Sequence, residues 1–144
     1  MPESAQFRAP TPPEMRDAVP TLRTIAMPAD TNPAGDIFGG WLMSQMDLAA
    51  GSVAALTSRG RSATIAVDGI VFHRPVKVGD EVSLFAELLA TGRSSMKIRV
   101  EAWRRPREHH VSDRVTEATF TFVALDEDGR ARPLPTPDAS SNEP

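Results

Sequence analysis

Three observations make this chain an α+β protein: a single domain in which an antiparallel sheet of about five strands packs on one long helix. Apolar residues recur at helical spacing from Trp41 to Thr57. Beyond that segment the period changes to two, the alternation of half-buried strands. The 144 residues are enough for one sizeable core, and they contain no internal repeat.

In chain order, Pro2, Pro10, Pro12, Pro13 and Pro20 lie among polar residues without a sustained period, so residues 1–20 read as a Pro-rich extended tail. Leu22 to Met27 is the first strand. Helix breakers fill the following loop, and the helix runs from Trp41 to Thr57. Its core-facing stripe is expected to be Leu42, Met46, Ala49, Val53 and Leu56. Ile65 to Phe72 forms a more uniformly apolar strand. Lys77 to Asp80 reads as a turn. Val82, Leu84, Ala86 and Leu88 alternate with mainly polar neighbours. Met96, Ile98, Val100 and Ala102 stand opposite Lys97, Arg99, Glu101 and Trp103, which predicts one buried and one mostly wet face. Arg104 to Asp113 is a longer loop, Ala118, Phe120, Phe122 and Ala124 mark the last strand, and Asp128–Gly129 is a turn. The domain is thus placed at 21–135, with a C-terminal tail at 136–144.

Asp47 is the residue that stands out. It is the single acid of the apolar helix, and three or four positions away it has Met43, Ser44, Ala50 and Gly51 rather than a base. On its side of the helix lie Met43, Ala50, Gly51 and Ala54. Local pattern alone leaves two readings, an ordinary exposed acid or a carboxylate among small apolar groups, the setting in which general bases are tuned. Gly39 and Gly40 put unpaired backbone N–H groups at the helix start, where a partial positive charge can hold a developing oxyanion; alone they are equally a tight turn. Asn32, ahead of Pro33, reads by itself as a turn residue, although its amide is also able to meet a ligand. Asp47 lies about 10 Å along the helix from the glycines, too far for one base to serve that helix start. A two-fold partner bringing its own Asp47 to the Asn32 and Gly40 region removes the difficulty, so a composite site and a dimer follow.

The segment ADTNPAGDIFGGWLMSQMD, Ala29 to Asp47, resembles the signature of hotdog-fold acyl-coenzyme A thioesterases, closest to the short bacterial YciA type. Further collinear matches are VDGIVFHRPVKVGD (Val67 to Asp80), GRSSMKI (Gly92 to Ile98) and TEATFTFVALD (Thr116 to Asp126). The resemblance implies a sheet wrapped around a central helix. It also implies hydrolysis of acyl-CoA to free acid and coenzyme A, with Asp47 as general base or nucleophile and Asn32 completing the site from the other protomer. It further implies a hexamer of three dimers. Coenzyme A is then part of substrate and product, and no separate cofactor is expected. Arg93, Ser94, Ser95 and Lys97 are the first candidates for its pantetheine and phosphates, with Arg61 and Arg74 behind them. A broad acyl range is expected, because Met43, Ala50 and Ala54 offer no polar group to read a functionalised tail. Two alternatives are a non-catalytic acyl-CoA or coenzyme A sensor and a hotdog hydratase or dehydratase, although the loop before the helix has no His for the latter.

Composition narrows the field. A net charge of −3 disfavours nucleic acid as a partner. No apolar run approaches the length of a membrane span and no leader is legible, so a cytoplasmic location is expected. With no cysteine there is neither a disulfide nor a thiolate ligand, and His73, His109 and His110 lack partners at ligand spacing; no metal is expected. There is no Gly-x-Ser-x-Gly elbow and no phosphate-loop lysine.

Overall fold

A computed structural model describes residues 18–136, so the two expected tails lie almost wholly outside the described residues. Strands β1 (Leu22–Ile25), β2 (Ser62–Asp68), β3 (Glu81–Thr91), β4 (Ser95–Arg105) and β5 (Asp113–Ala124) form one sheet, and helix α1 (Gly39–Ser58) lies between β1 and β2 in sequence. The spatial order is β1-β3-β4-β5-β2, every neighbouring pair antiparallel. β3, β4 and β5 form a meander, while β1 and β2 occupy the two edges. The sheet curls around α1, which touches all five strands. This is the hotdog architecture.

The inner face behaves as its alternation predicts. Val82 and Leu84, Met96 to Ala102 at every second position, and Ala118, Phe120, Phe122 and Ala124 are buried against α1. The helix contributes Leu42, Met46, Ala49, Ala50 and Ala54. Its buried row therefore departs from the expected stripe: Leu56 is 81% exposed, while Ala50 and Ala54, expected beside Asp47, are fully buried. The row follows an i, i+4 ridge, which is inclined to the helix axis, as suits a helix crossing a twisted sheet. Small residues line this row, and a Cβ at Gly51 would stand 3.8 Å from the Phe122 ring, in ordinary van der Waals contact.

Three other expectations change. The apolar run Ile65 to Phe72 is a strand only as far as Asp68, because Gly69 at φ 77 breaks the extended path. A bulge between Thr64 and Ala66 disturbs the register at Ile65, and Ile65, Val71 and Phe72 are exposed. Leu88, at the outer end of β3, is also exposed. On β4 the outer face is wet only in its first half: Lys97 is exposed and Arg99 partly so, but Glu101 and Trp103 are buried. The Trp103 indole packs with Phe85 and donates to Glu101 at 3.0 Å, and Arg99 donates to Glu101 and Glu117 at 2.6 Å. Burial opposes the Arg99 charge, but the hydrogen bond to Glu117 and the charges of Glu101, Glu117 and Glu87 outweigh it and raise its pKa. Glu101 can be buried because Arg99 and Trp103, two residues to either side on the same strand, donate to it, with Arg114 of β5 3.8 Å away.

The two ends of α1 are closed differently. At the C-terminus Arg59 takes the left-handed conformation (φ 58), and Arg132 donates to the Ser58 carbonyl at 2.9 Å and the Leu125 carbonyl at 2.8 Å. At the N-terminus no side chain caps the helix.

Candidate active site

The loop before α1 is organised by Asn32. Its Oδ1 accepts from the N–H groups of Ala34 (2.9 Å) and Asp36 (3.1 Å), while its backbone N–H donates to the Asp36 carbonyl at 2.7 Å. The carbonyl end of the side chain thus closes the turn. Its NH₂ group has no partner among the described residues, so one side chain builds the loop and still holds out two donors.

The chain enters the helix through Phe38, its N-cap, followed by Gly39 and Gly40. Aromatic rings lie over both glycines. A Cβ at Gly39 would stand 3.1 Å from the Phe72 ring, and one at Gly40 3.2 Å from that of Phe38. Absence of a Cβ is therefore what lets the rings approach the first turn, whose N–H groups carry the positive end of the helix dipole. Beside this turn is an apolar cleft of about 250 Å³, with Leu42, Val76 and Val115 among its lining and Arg74 at its edge.

Asp47 lies two turns further on, half-buried, and its Oδ1 accepts the hydroxyl proton of Thr64 at 2.5 Å. Thr64 thus touches the candidate acid and is absent from the sequence-based candidates. It precedes the expected strand Ile65 to Phe72, and only the packing of β2 on α1 beside the bulge at Ile65 brings its hydroxyl to the acid. Seven residues still separate Asp47 from Gly40, about 10 Å of helix. Within one protomer the acid and the helix start remain apart.

The profile of the Thioesterase superfamily matches residues 34–109, which contain both glycines, Asp47 and Thr64. An uncharacterized acyl-CoA thioester hydrolase of Zymomonas mobilis is 53% identical over 116 residues, covering 81% of this chain and 78% of that protein. This chain belongs to the thioesterase superfamily. Acyl-CoA thioester hydrolase YciA of Escherichia coli K12 is 47% identical over 117 residues, 79% of this chain and 89% of that one. Among solved structures, HI0827, a hexameric broad specificity acyl-coenzyme A thioesterase, superposes with a TM-score of 0.80 at 44% identity, covering 88% of this chain and 87% of that one.

The thioesterase places its basic candidates in two groups. Arg93, Ser94 and Ser95 form the β3–β4 turn, closed by the Gly92 N–H on the Ser95 carbonyl at 2.9 Å, and Lys97 is exposed on β4. Ala124 donates to the Ser94 carbonyl and Leu125 to that of Arg61, so Arg61 and the GRSS turn flank the end of β5. Arg74 belongs elsewhere. The adjacent His73 donates to Val115 near the start of β5, about 26 Å along the strand from the Ser95–Val123 pair. One protomer does not gather all six. Among the described residues of the thioesterase, no three His, Cys, Asp or Glu side chains form a group able to hold a metal ion, and no helix is long and apolar enough to cross a membrane.

Proposed function

We propose that this thioesterase hydrolyses acyl-coenzyme A to a free carboxylic acid and coenzyme A over a broad acyl range, at a site shared between two protomers. The observation that carries this reading is the Asp47 carboxylate held by Thr64 on the helix whose first turn has no side-chain cap. Its relatives named acyl-CoA thioester hydrolases support the substrate class.

The thioester carbonyl oxygen accepts from the backbone N–H of Gly40 or its neighbour, which stabilises the charge that develops as the carbonyl becomes tetrahedral. Gly39 keeps the approach free of side chain. Asn32, its oxygen committed to the loop, turns its NH₂ toward substrate or water. Asp47 of the partner protomer removes a proton from water as it attacks, or attacks the carbonyl itself to give an anhydride that water then opens. In the first route the tetrahedral intermediate expels the coenzyme A thiolate and leaves the acid; in the second the thiolate departs as the anhydride forms, and its hydrolysis releases the acid and restores Asp47. Thr64 occupies one lone pair of Oδ1 and fixes the carboxylate, leaving Oδ2 for the reaction. No cofactor enters this scheme.

Support for the shared site comes from the 10 Å separation and from the surface around the acid. Leu48 and Ile65, next in sequence to Asp47 and Thr64, are more than 60% exposed, as residues at an interface between copies are before assembly. The assembly we propose is a hexamer of three such dimers; HI0827 is likewise described as hexameric. Coenzyme A phosphates are assigned to Arg93 and Lys97, with Ser94 and Ser95 on the pantetheine and Arg61 and Arg74 as outer cations. The tails keep their assignment at 1–20 and 136–144 around a catalytic domain at 21–135. We place the enzyme in the cytoplasm, where coenzyme A thioesters are made and consumed.

The absence of cysteine gives a direct test. A thiol-reactive dye added to the protein with acyl-CoA reports released coenzyme alone. Thiol release across acyl chains from acetyl to palmitoyl is expected; none with any of them refutes the reading.

A further inference from the structure

The cleft beside the helix start has an apolar floor, an aromatic mouth and one cation, Arg74, in its lining. Leu42, Val76 and Val115 are 5% exposed or less, whereas Phe38 and Phe72 are 41% and 43% exposed. The same two rings lie over Gly40 and Gly39. These rings and the apolar floor lie next to the first turn, where the scheme above holds the thioester carbonyl. Of the helix residues expected to line an acyl pocket, Ala50 and Ala54 are fully buried against the sheet and only Met43 keeps some exposure.

Resting on the acyl-CoA reading above, we propose that this cleft receives the acyl chain and that Phe72 sets the chain length the enzyme handles best. Phe72 rather than Phe38 has this role because of how each is attached. Phe38 is the helix N-cap, tied to the first turn by the Trp41 N–H on its carbonyl at 3.1 Å. Phe72 comes from the irregular segment after Gly69, anchored on either side by Thr116 Oγ1 donating to the Val71 carbonyl (2.6 Å) and the His73 N–H donating to the Val115 carbonyl (2.8 Å). Its backbone is pinned, so its ring size sets how much of the cleft stays open. At about 250 Å³ the cleft is below the usual range for a drug-sized ligand, which suits the first carbons of a chain and makes each added methylene count.

The experiment is a kcat/KM series from acetyl- to palmitoyl-CoA for the wild type, Phe72→Ala and Phe72→Trp, each compared at matched oligomer size. Phe72→Ala is expected to raise the ratio of long-chain to short-chain kcat/KM by about tenfold or more, and Phe72→Trp to lower it. If both profiles superimpose on the wild type, or fall uniformly at all lengths, the assignment of Phe72 is overturned while the hydrolase reading stands. A wild type that releases no thiol from any acyl-CoA instead overturns the hydrolase reading itself.

Discussion

The first half of α1 and the second half solve opposite problems with the same backbone. At its C-terminus the helix spends side chains on its own orphan carbonyls: Arg132 reaches the Ser58 carbonyl from the last segment of the chain, and a Cβ on Gly60 would come within 2.7 Å of that guanidinium. At its N-terminus no side chain does this. Glycines take the place of a capping hydroxyl, aromatic rings cover them, and the nearby Asn32 keeps its NH₂ unpaired among the described residues. An N-cap commonly contributes about 1 kcal/mol, so the open end forgoes stability that the closed end secures. Substitutions in the first half should therefore change turnover, and those around the second half should change stability.

The largest effect is expected at Asp47. Asp47→Asn keeps the shape and removes the base or nucleophile, so kcat should fall by roughly two to four orders of magnitude with little change in thermal unfolding or coenzyme A binding. An unchanged kcat would end the assignment. Whether the helix start and the Asp47 of one protomer serve different sites is decided by mixing inactive Asn32→Ala chains with inactive Asp47→Ala chains. After subunit exchange, half of the dimers are mixed and each has one intact site, so about a quarter of the wild-type activity should return. Exchange without recovery would mean that the site is built within one protomer.

Next comes Thr64. Thr64→Val removes the hydroxyl from the carboxylate and should lower kcat by about tenfold or more with KM little changed; Thr64→Ser should restore most of it. A loss that Ser fails to rescue would point to packing rather than to the hydrogen bond. In the second half, Arg132→Ala should destabilise by about 1–2 kcal/mol in denaturant unfolding while kcat/KM stays near the wild-type value. The smallest change is expected for Arg59→Gly, which relieves a left-handed residue and should stabilise by about 1 kcal/mol. A drop in activity from either arginine substitution would blur the division between the two halves.

Much of this was legible in one dimension. Helical and two-residue periods are local properties, so five strands, one long helix and nearly all inner-face residues could be read from spacing. Breakers before an apolar run marked the helix start, an acid without a helical partner marked Asp47, and arithmetic along the helix already separated it from the glycines. What spacing cannot carry is contact between distant segments. The order β1-β3-β4-β5-β2, the drift of the helix contact toward Ala50 and Ala54, and the burial of Glu101 beneath arginines from two strands depend on how twisted layers meet. Thr64 reaches Asp47 only because β2 bulges where it packs on α1, and Phe72 lies over Gly39 only because Gly69 turns the chain out of the sheet. By itself, then, the sequence determined which groups were available for chemistry and on which element each stood, because periodicity and helix rise are local. Only the tertiary structure decided which of them meet, because a hydrogen bond between residues 17 apart or a ring over a glycine 33 positions away exists only once sheet and helix are packed.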